Sequence, residues 1–361
     1  MVVNFFVGKN GAGKTNRLLS IAREECKKSK VLIVCNTSHD KYNIPKSHAK
    51  KLSSRNLSST PSRVIKESIL QLYFEGGARL NAIGRIFDYV NYAPMIVLRA
   101  RANKRANLSE LNDYVRQSDD IESKDSVARI AESIIRAGEY EVSIDLTGEK
   151  FSNLDAINLL QAESVLRRRR IIKGVEVLVV KPTGAAFPIE FASSGELTLI
   201  STLTFVMTNI DSETCLLIDE PENSLHPRWQ KEYVRQLADL TSYYHPETFI
   251  ATHAPILLSG AQATPDVELN VFFAGNGQRV NLGDEPAGLE DTLWNIFDTV
   301  TPANHFLSEE LVREISSLDE SVSLNKVIEN INSLREASYD PAQERVFDAA
   351  IKLATEMAAE Q

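Results

Sequence analysis

The sequence predicts an α/β fold, with a mixed sheet, an inserted helical lobe and a C-terminal helical tail. Three observations predict it. Short apolar runs at Val2–Val7, Cys215–Ile218 and Thr248–Ala251 each lead straight into a candidate site stretch, as strands do when their C-terminal ends carry a site. Helical spacing follows the first run, at Leu18, Leu19 and Ala22. From Leu311 to Ala358 the helical period alone remains, broken near Ser338–Gln343. On this reading residues 1–300 form the main domain. Its first part is 1–50, the insertion is about 51–185, and the second part is 186–275. Residues 301–361 are the tail.

The first element is the most informative. Val2–Val7 is β-branched and aromatic, a short buried strand. Gly8-Lys9-Asn10-Gly11-Ala12-Gly13-Lys14-Thr15 then fits G-x-x-x-x-G-K-[ST] in full, and a helix follows from Asn16 to Lys27. The motif needs this strand–loop–helix context. Glycines let backbone N–H groups wrap a phosphate closely, and a helix N-terminus favours an anion. Gly8, Asn10, Gly11, Ala12, Gly13, Lys14, Thr15 and Asn16 are therefore expected to bind a nucleotide. Lys14 is expected at the β- and γ-phosphates and Thr15 at Mg²⁺. A glycine-rich turn with a chance lysine is the bland alternative, and the context argues against it.

A phosphate loop needs a second carboxylate. Asp219 and Glu220 follow the apolar run Cys215–Ile218. Asp219 is expected to hold Mg²⁺ and Glu220 to act as general base on the attacking water. Pleat alternation would send the two acids to opposite faces. Thr252 and His253 close the run Thr248–Ala251. His253, usually a structural residue in such a place, becomes here a candidate γ-phosphate sensor.

The ordered set GKNGAGKT, SSGE, LLIDEPENSLHP and ATHAP resembles the ABC-type ATPase superfamily. The resemblance covers about residues 8–36 and 185–260. Its nearest branch looks like the non-transporter ATPases: Rad50, SMC, RecF, OLD-like and Septu-like or retron-associated defence proteins. The resemblance implies ATP and Mg²⁺ as cofactors. It also implies that Ser193, Ser194, Gly195 and Glu196 form a signature motif completing the site of a second protomer, so that two chains sandwich ATP head to tail. A serine cap of the following helix is the structural alternative. The chain departs from the family in three places. A single strand precedes Gly8, and no adenine-stacking residue is identified in it. Asn36 stands where a Q-loop glutamine is expected. Asn223-Ser224-Leu225-His226 replaces the D-loop aspartate.

Bulk properties bound the rest. The net charge of -9 over 361 residues excludes a wholly basic nucleic-acid coat. Cys26, Cys35 and Cys215 lack paired spacing and read as reduced core residues. No apolar run approaches the roughly 20 residues of a membrane helix, so a cytoplasmic protein without membrane contact is expected. The middle of the chain reads as helices at Ser58–Gly77 and Leu80–Tyr92, then two helix-to-strand switches at Asp125–Gly148 and Ala156–Gly184. Arg99, Arg101, Lys104 and Arg105, and separately Arg167–Arg170, offer contacts to duplex DNA, or are merely solvated faces. The tail carries no nuclease-like acidic cluster, so an effector would be a separate chain. Three readings follow: a defence-system ATPase controlling such an effector, for example a nuclease; a DNA-repair ATPase; or a scaffold held by ATP with negligible turnover.

Overall fold

The structure is a computed structural model that describes residues 1–37, 40–45, 47–53, 60–75, 77–104, 106, 121–148, 153–280, 305–318, 322–336 and 344–360. Its strands are β1 (Val2–Val7), β2 (Lys30–Cys35), β3 (Ala49–Ser53), β4 (Met95–Ala102), β5 (Glu139–Asp145), β6 (Ile172–Val180), β7 (Ala186–Pro188), β8 (Thr214–Asp219), β9 (Glu247–Thr252) and β10 (Glu268–Phe273). The helices are α1 (Lys14–Glu25), α2 (Thr60–Glu75), α3 (Gly77–Tyr89), α4 (Ile121–Ala137), α5 (Leu154–Arg168) and α6 (Ser194–Asn209). They continue with α7 (Pro227–Thr241), α8 (Pro255–Gln262), α9 (His305–Ser316), α10 (Leu324–Glu336) and α11 (Glu344–Glu360). Gly76, Arg105, the start of the tail at 281–304 and its expected break at 338–343 lie outside the described residues.

The chain forms two compact units. The first comprises Met1–Ser20, Pro227–Gln236 and Phe249–Gln361. Its strands stand in the order β10-β1-β9, with β1 parallel to β10 from Val2↔Glu268 to Val7↔Phe273. Phe6 stacks on Phe249 and Phe272, with ring centroids 6.4 and 5.7 Å away. The tail helices α9, α10 and α11 have a core of their own around Leu311, Val327, Ile331, Leu334, Phe347 and Ala354. The apolar positions Val327, Ile331 and Leu334 recur at helical spacing, which is why one face of α10 is buried.

The second unit comprises Ile21–His226 and Leu237–Thr248. Its parallel strands stand in the order β8-β2-β3. Every residue of β8 is buried, as expected of a parallel strand covered on both faces. A second, antiparallel sheet has the order β5-β4-β6-β7. There β4 alternates, burying Ile96, Leu98 and Ala100, the signature of one covered face. Helices α2 and α3 pack on α6, which is buried from Leu197 to Asn209, polar residues included. The Arg79 guanidinium donates to the carbonyls of Thr208 at 3.1 Å and Ile210 at 2.8 Å. It thus answers the orphan acceptors and the negative end of α6.

Helix α3 ends at Tyr89, three residues before the sequence pattern suggested, because Asn91 turns left-handed at φ 63°. The Tyr92 N–H then closes back on the Phe87 carbonyl at 2.9 Å. All three cysteines are free thiols. Burial pushes Cys215 up to about 12, and it raises Cys35 as well. Among the described residues no helix is long and apolar enough to cross a membrane.

Candidate functional site

In the first unit the phosphate-loop sequence adopts a turn that only glycine takes easily. Gly8, Gly11 and Gly13 have φ of 147°, 87° and 90°, where a Cβ is strained. The Ala12 N–H donates to the Lys9 carbonyl at 3.1 Å, and the Arg17 N–H to the Gly13 carbonyl at 3.0 Å, so α1 opens inside the motif. Thr15 and Asn16 stand in the first turn of α1, where N–H groups have no helical partner. No acidic residue occupies that turn, which leaves its positive end to an anion. Lys14 is 5% exposed. Its ammonium donates to the carbonyls of Gly8 at 2.8 Å and Lys9 at 3.2 Å, so it is folded back over the loop. His253 follows the last residue of β9, the strand beside β1. Before it, the Thr252 hydroxyl accepts from the Ala254 N–H at 2.9 Å.

In the second unit Asp219 ends β8 and is fully buried. The Tyr42 hydroxyl donates to Asp219 Oδ2 at 3.1 Å. Tyr42 is itself 2% exposed. Burial, and then the Asp219 carboxylate beside it, hold its phenol far above the ordinary range, so it stays a neutral donor. The Asn36 N–H donates to the Asp219 carbonyl at 3.0 Å. Asn36 thus sits beside Asp219, and its side-chain nitrogen is buried with no hydrogen-bond partner among the described residues.

Glu220 corrects one expectation. Pleat alternation does not separate the two acids, because the strand stops at Asp219 and Glu220 is left-handed, at φ 51°. Asn223 fixes the turn. Its N–H donates to the Glu220 carbonyl at 3.2 Å. Its side-chain amide donates to Glu220 Oε2 at 2.9 Å and to the Asn36 carbonyl at 3.1 Å. The residue standing in place of a D-loop aspartate therefore clamps the expected base. Sequence reasoning missed this clamp and missed Tyr42. The available signal for Tyr42 was one aromatic in the otherwise polar run Asn36–Asn43.

The signature stretch is a capping box, as the structural alternative foresaw. Ser193 caps α6: its hydroxyl accepts from the Glu196 N–H at 3.3 Å, and its own N–H donates to Glu196 Oε2 at 2.8 Å. Burial alone would raise the Glu196 carboxyl. The Ser193 amide first, and then the Tyr92 and Ser193 hydroxyls, outweigh it, the Lys181 ammonium 3.7 Å away adds to this, and the carboxyl is held below its usual range. Ser193 and Ser194 remain exposed and Gly195 is buried. The adjacent Phe191 is 79% exposed.

The two basic stretches divide. Arg99 bonds Glu176 at 2.8 Å and lies 3.6 Å from Glu141, while Arg101 lies 3.7 Å from Glu139. Cross-strand register places these acids opposite the arginines, so Arg99 and Arg101 serve the antiparallel sheet. Arg167, Arg168 and Arg170 are exposed at the end of α5.

Each unit, taken by itself, offers groups of the kind a nucleotide or its metal takes: in the first, a glycine-rich loop at a helix start with a held ammonium; in the second, a buried carboxylate. Among the described residues no three His, Cys, Asp or Glu side chains group as a metal cage. Mg²⁺ is commonly held by one or two protein oxygens together with substrate phosphates.

A family described as "AAA domain, putative AbiEii toxin, Type IV TA system" matches residues 42–259, more than half of the chain. The chain belongs to this family. It is thus an AAA/ABC-type P-loop ATPase domain with the α/β fold described above. Asp219, Glu220, Ser193–Glu196 and His253 fall inside the match, whereas Gly8–Asn16 precede it and stand on their own motif and backbone geometry. Protein ea59 of Escherichia phage lambda is 30% identical over 115 residues, 30% of this chain. The match spans only 22% of the length of that relative.

Proposed function

We propose that the protein hydrolyses ATP as a head-to-tail dimer and is the ATPase component of an anti-phage defence system that controls a separate effector chain. The observation that carries the hydrolytic part is the turn after β8. A buried aspartate is followed at once by a carboxylate aimed by left-handed backbone and held by Asn223. In this reading Lys14 and the N–H groups of Gly8–Asn16 bind the phosphates, and Thr15 and Asp219 hold Mg²⁺. Bound Mg²⁺ would supply charge neutralisation at the β- and γ-phosphates. Glu220 takes the proton of the attacking water, and His253 senses the γ-phosphate. Ser193 and Ser194, exposed beside Phe191, support the composite site of a dimer. The family description, a putative toxin of a TA system, is in keeping with a protein that works beside a second chain.

The test is Glu220→Gln. A lost general base lowers turnover by roughly a hundredfold or more, while nucleotide binding by equilibrium dialysis should persist. In host cells challenged with phage, plaque counts should fall with the wild-type protein and not with the variant. Equal turnover in both proteins would overturn the hydrolytic reading and favour the scaffold. A DNA-repair ATPase is the second reading, and the exposed Arg167, Arg168 and Arg170 favour it.

A further inference from the structure

The second unit contains a cavity of about 600 Å³ bounded by β3, α2, α6 and the segment 42–44. That is the size range of small-molecule sites. Its apolar wall is made by the Tyr42 ring, Ile44, Val64 and Phe205. The polar side chains that line it already have partners within the fold. The Ser68 hydroxyl donates to the Val64 carbonyl at 2.7 Å, and Thr208 Oγ1 lies 2.7 Å from Ser68 Oγ. The Asn209 amide donates to the Phe205 carbonyl at 2.8 Å. An occupant therefore needs no hydrogen bonds inside, and an apolar body suffices.

The mouth is different. Lys50, Lys51 and Glu67 stand there, all exposed. Lys51 is compensated by Asp40 at 2.9 Å. Lys50 donates to Asn209 Oδ1 at 2.7 Å, and an ammonium carries three donors. The cation at the mouth that faces a neutral amide rather than a carboxylate is thus Lys50. We propose that this cavity binds a small organic anion with an apolar body, its acid group on Lys50 and its body against Val64 and Phe205.

Such a ligand would regulate the ATPase site. Tyr42 is a wall of the cavity, and its hydroxyl is the donor to Asp219 Oδ2. Lys51, also at the mouth, donates to the Tyr42 carbonyl at 2.7 Å. An occupant pressing on the ring shifts the bond that holds the expected metal ligand, and so shifts the Mg²⁺ requirement. This coupling rests on the ATPase reading above, whereas the binding does not.

The experiment separates the two. The full chain, free of nucleotide, is titrated with 8-anilinonaphthalene-1-sulfonate and followed by its fluorescence. The wild-type protein should saturate at a single site. Lys50→Glu, which reverses the exposed charge, should weaken binding roughly tenfold, the worth of one charge-assisted hydrogen bond, and Val64→Trp, which fills the cavity, should abolish saturable binding. Thermal unfolding reports whether Val64→Trp is folded, and Lys50→Glu decides the matter if it is not. Unchanged affinity in the folded variants would overturn the site. ATP turnover against Mg²⁺ is then measured with and without saturating probe. A shifted midpoint in the wild type that is absent in Val64→Trp supports the coupling, and an unshifted midpoint overturns it. No turnover in any protein would overturn the ATPase reading, while the fluorescence titration still decides the site.

Discussion

Tyr42 and Asn223 set the two acids of the turn after β8. Tyr42 reaches Asp219 across 177 positions of sequence, and Tyr42 belongs to no motif. This is why it was illegible in the sequence: a hydrogen bond between distant segments leaves no periodicity and no spacing. Asn223 lies inside the motif, but its clamp depends on the left-handed turn at Glu220, which the sequence does not announce. Gly8, Gly11 and Gly13 were legible for the opposite reason. Their φ values are a local demand that only one residue type meets without strain. Tyr42→Phe keeps the buried ring and removes the donor. A hydrogen bond to a charged group contributes about 1.5–3 kcal/mol, so the Mg²⁺ concentration for half-maximal turnover should rise roughly tenfold with the KM for ATP unchanged. A variant with wild-type Mg²⁺ dependence would show that Tyr42 only fills space.

Among elements, what was legible follows the same rule. The capping box at Ser193–Glu196 and the buried strands β1, β8 and β9 were readable because cap and pattern are local. The fate of Arg99 and Arg101 was not, since it depends on which acids the register sets opposite them. Helix packing was equally hidden. Within the first unit α8 meets α7 backbone to backbone at Gly260, and a Cβ there would lie 1.9 Å from the Lys231 carbonyl oxygen. Nothing flexible stands there to give way. Gly260→Ala should therefore lower the urea midpoint by an amount equivalent to about 1–3 kcal/mol, despite Ala being the better helix former. An unshifted midpoint would mean that the two helices can part without loss.

For the whole molecule, the question is whether the chain works alone. Exposed Phe191 beside exposed Ser193 and Ser194 gives a second copy something apolar to cover and a helix start to use. ATP turnover per chain should then rise steeply with protein concentration, and Phe191→Asp should move the rise to higher concentration. A flat profile would make each chain self-sufficient. A further rise on adding duplex DNA would bring in Arg167–Arg170 and the repair reading. Stability offers a last test. A left-handed residue with a Cβ costs about 1–2 kcal/mol that glycine is spared, and Glu220 sits there at φ 51°. The fold would be more secure with a residue that cannot do the proposed chemistry. Glu220→Gly should melt at a higher temperature than the wild type while turning over no ATP, and the gap between the two midpoints would measure how far selection for activity has held this chain below its attainable stability.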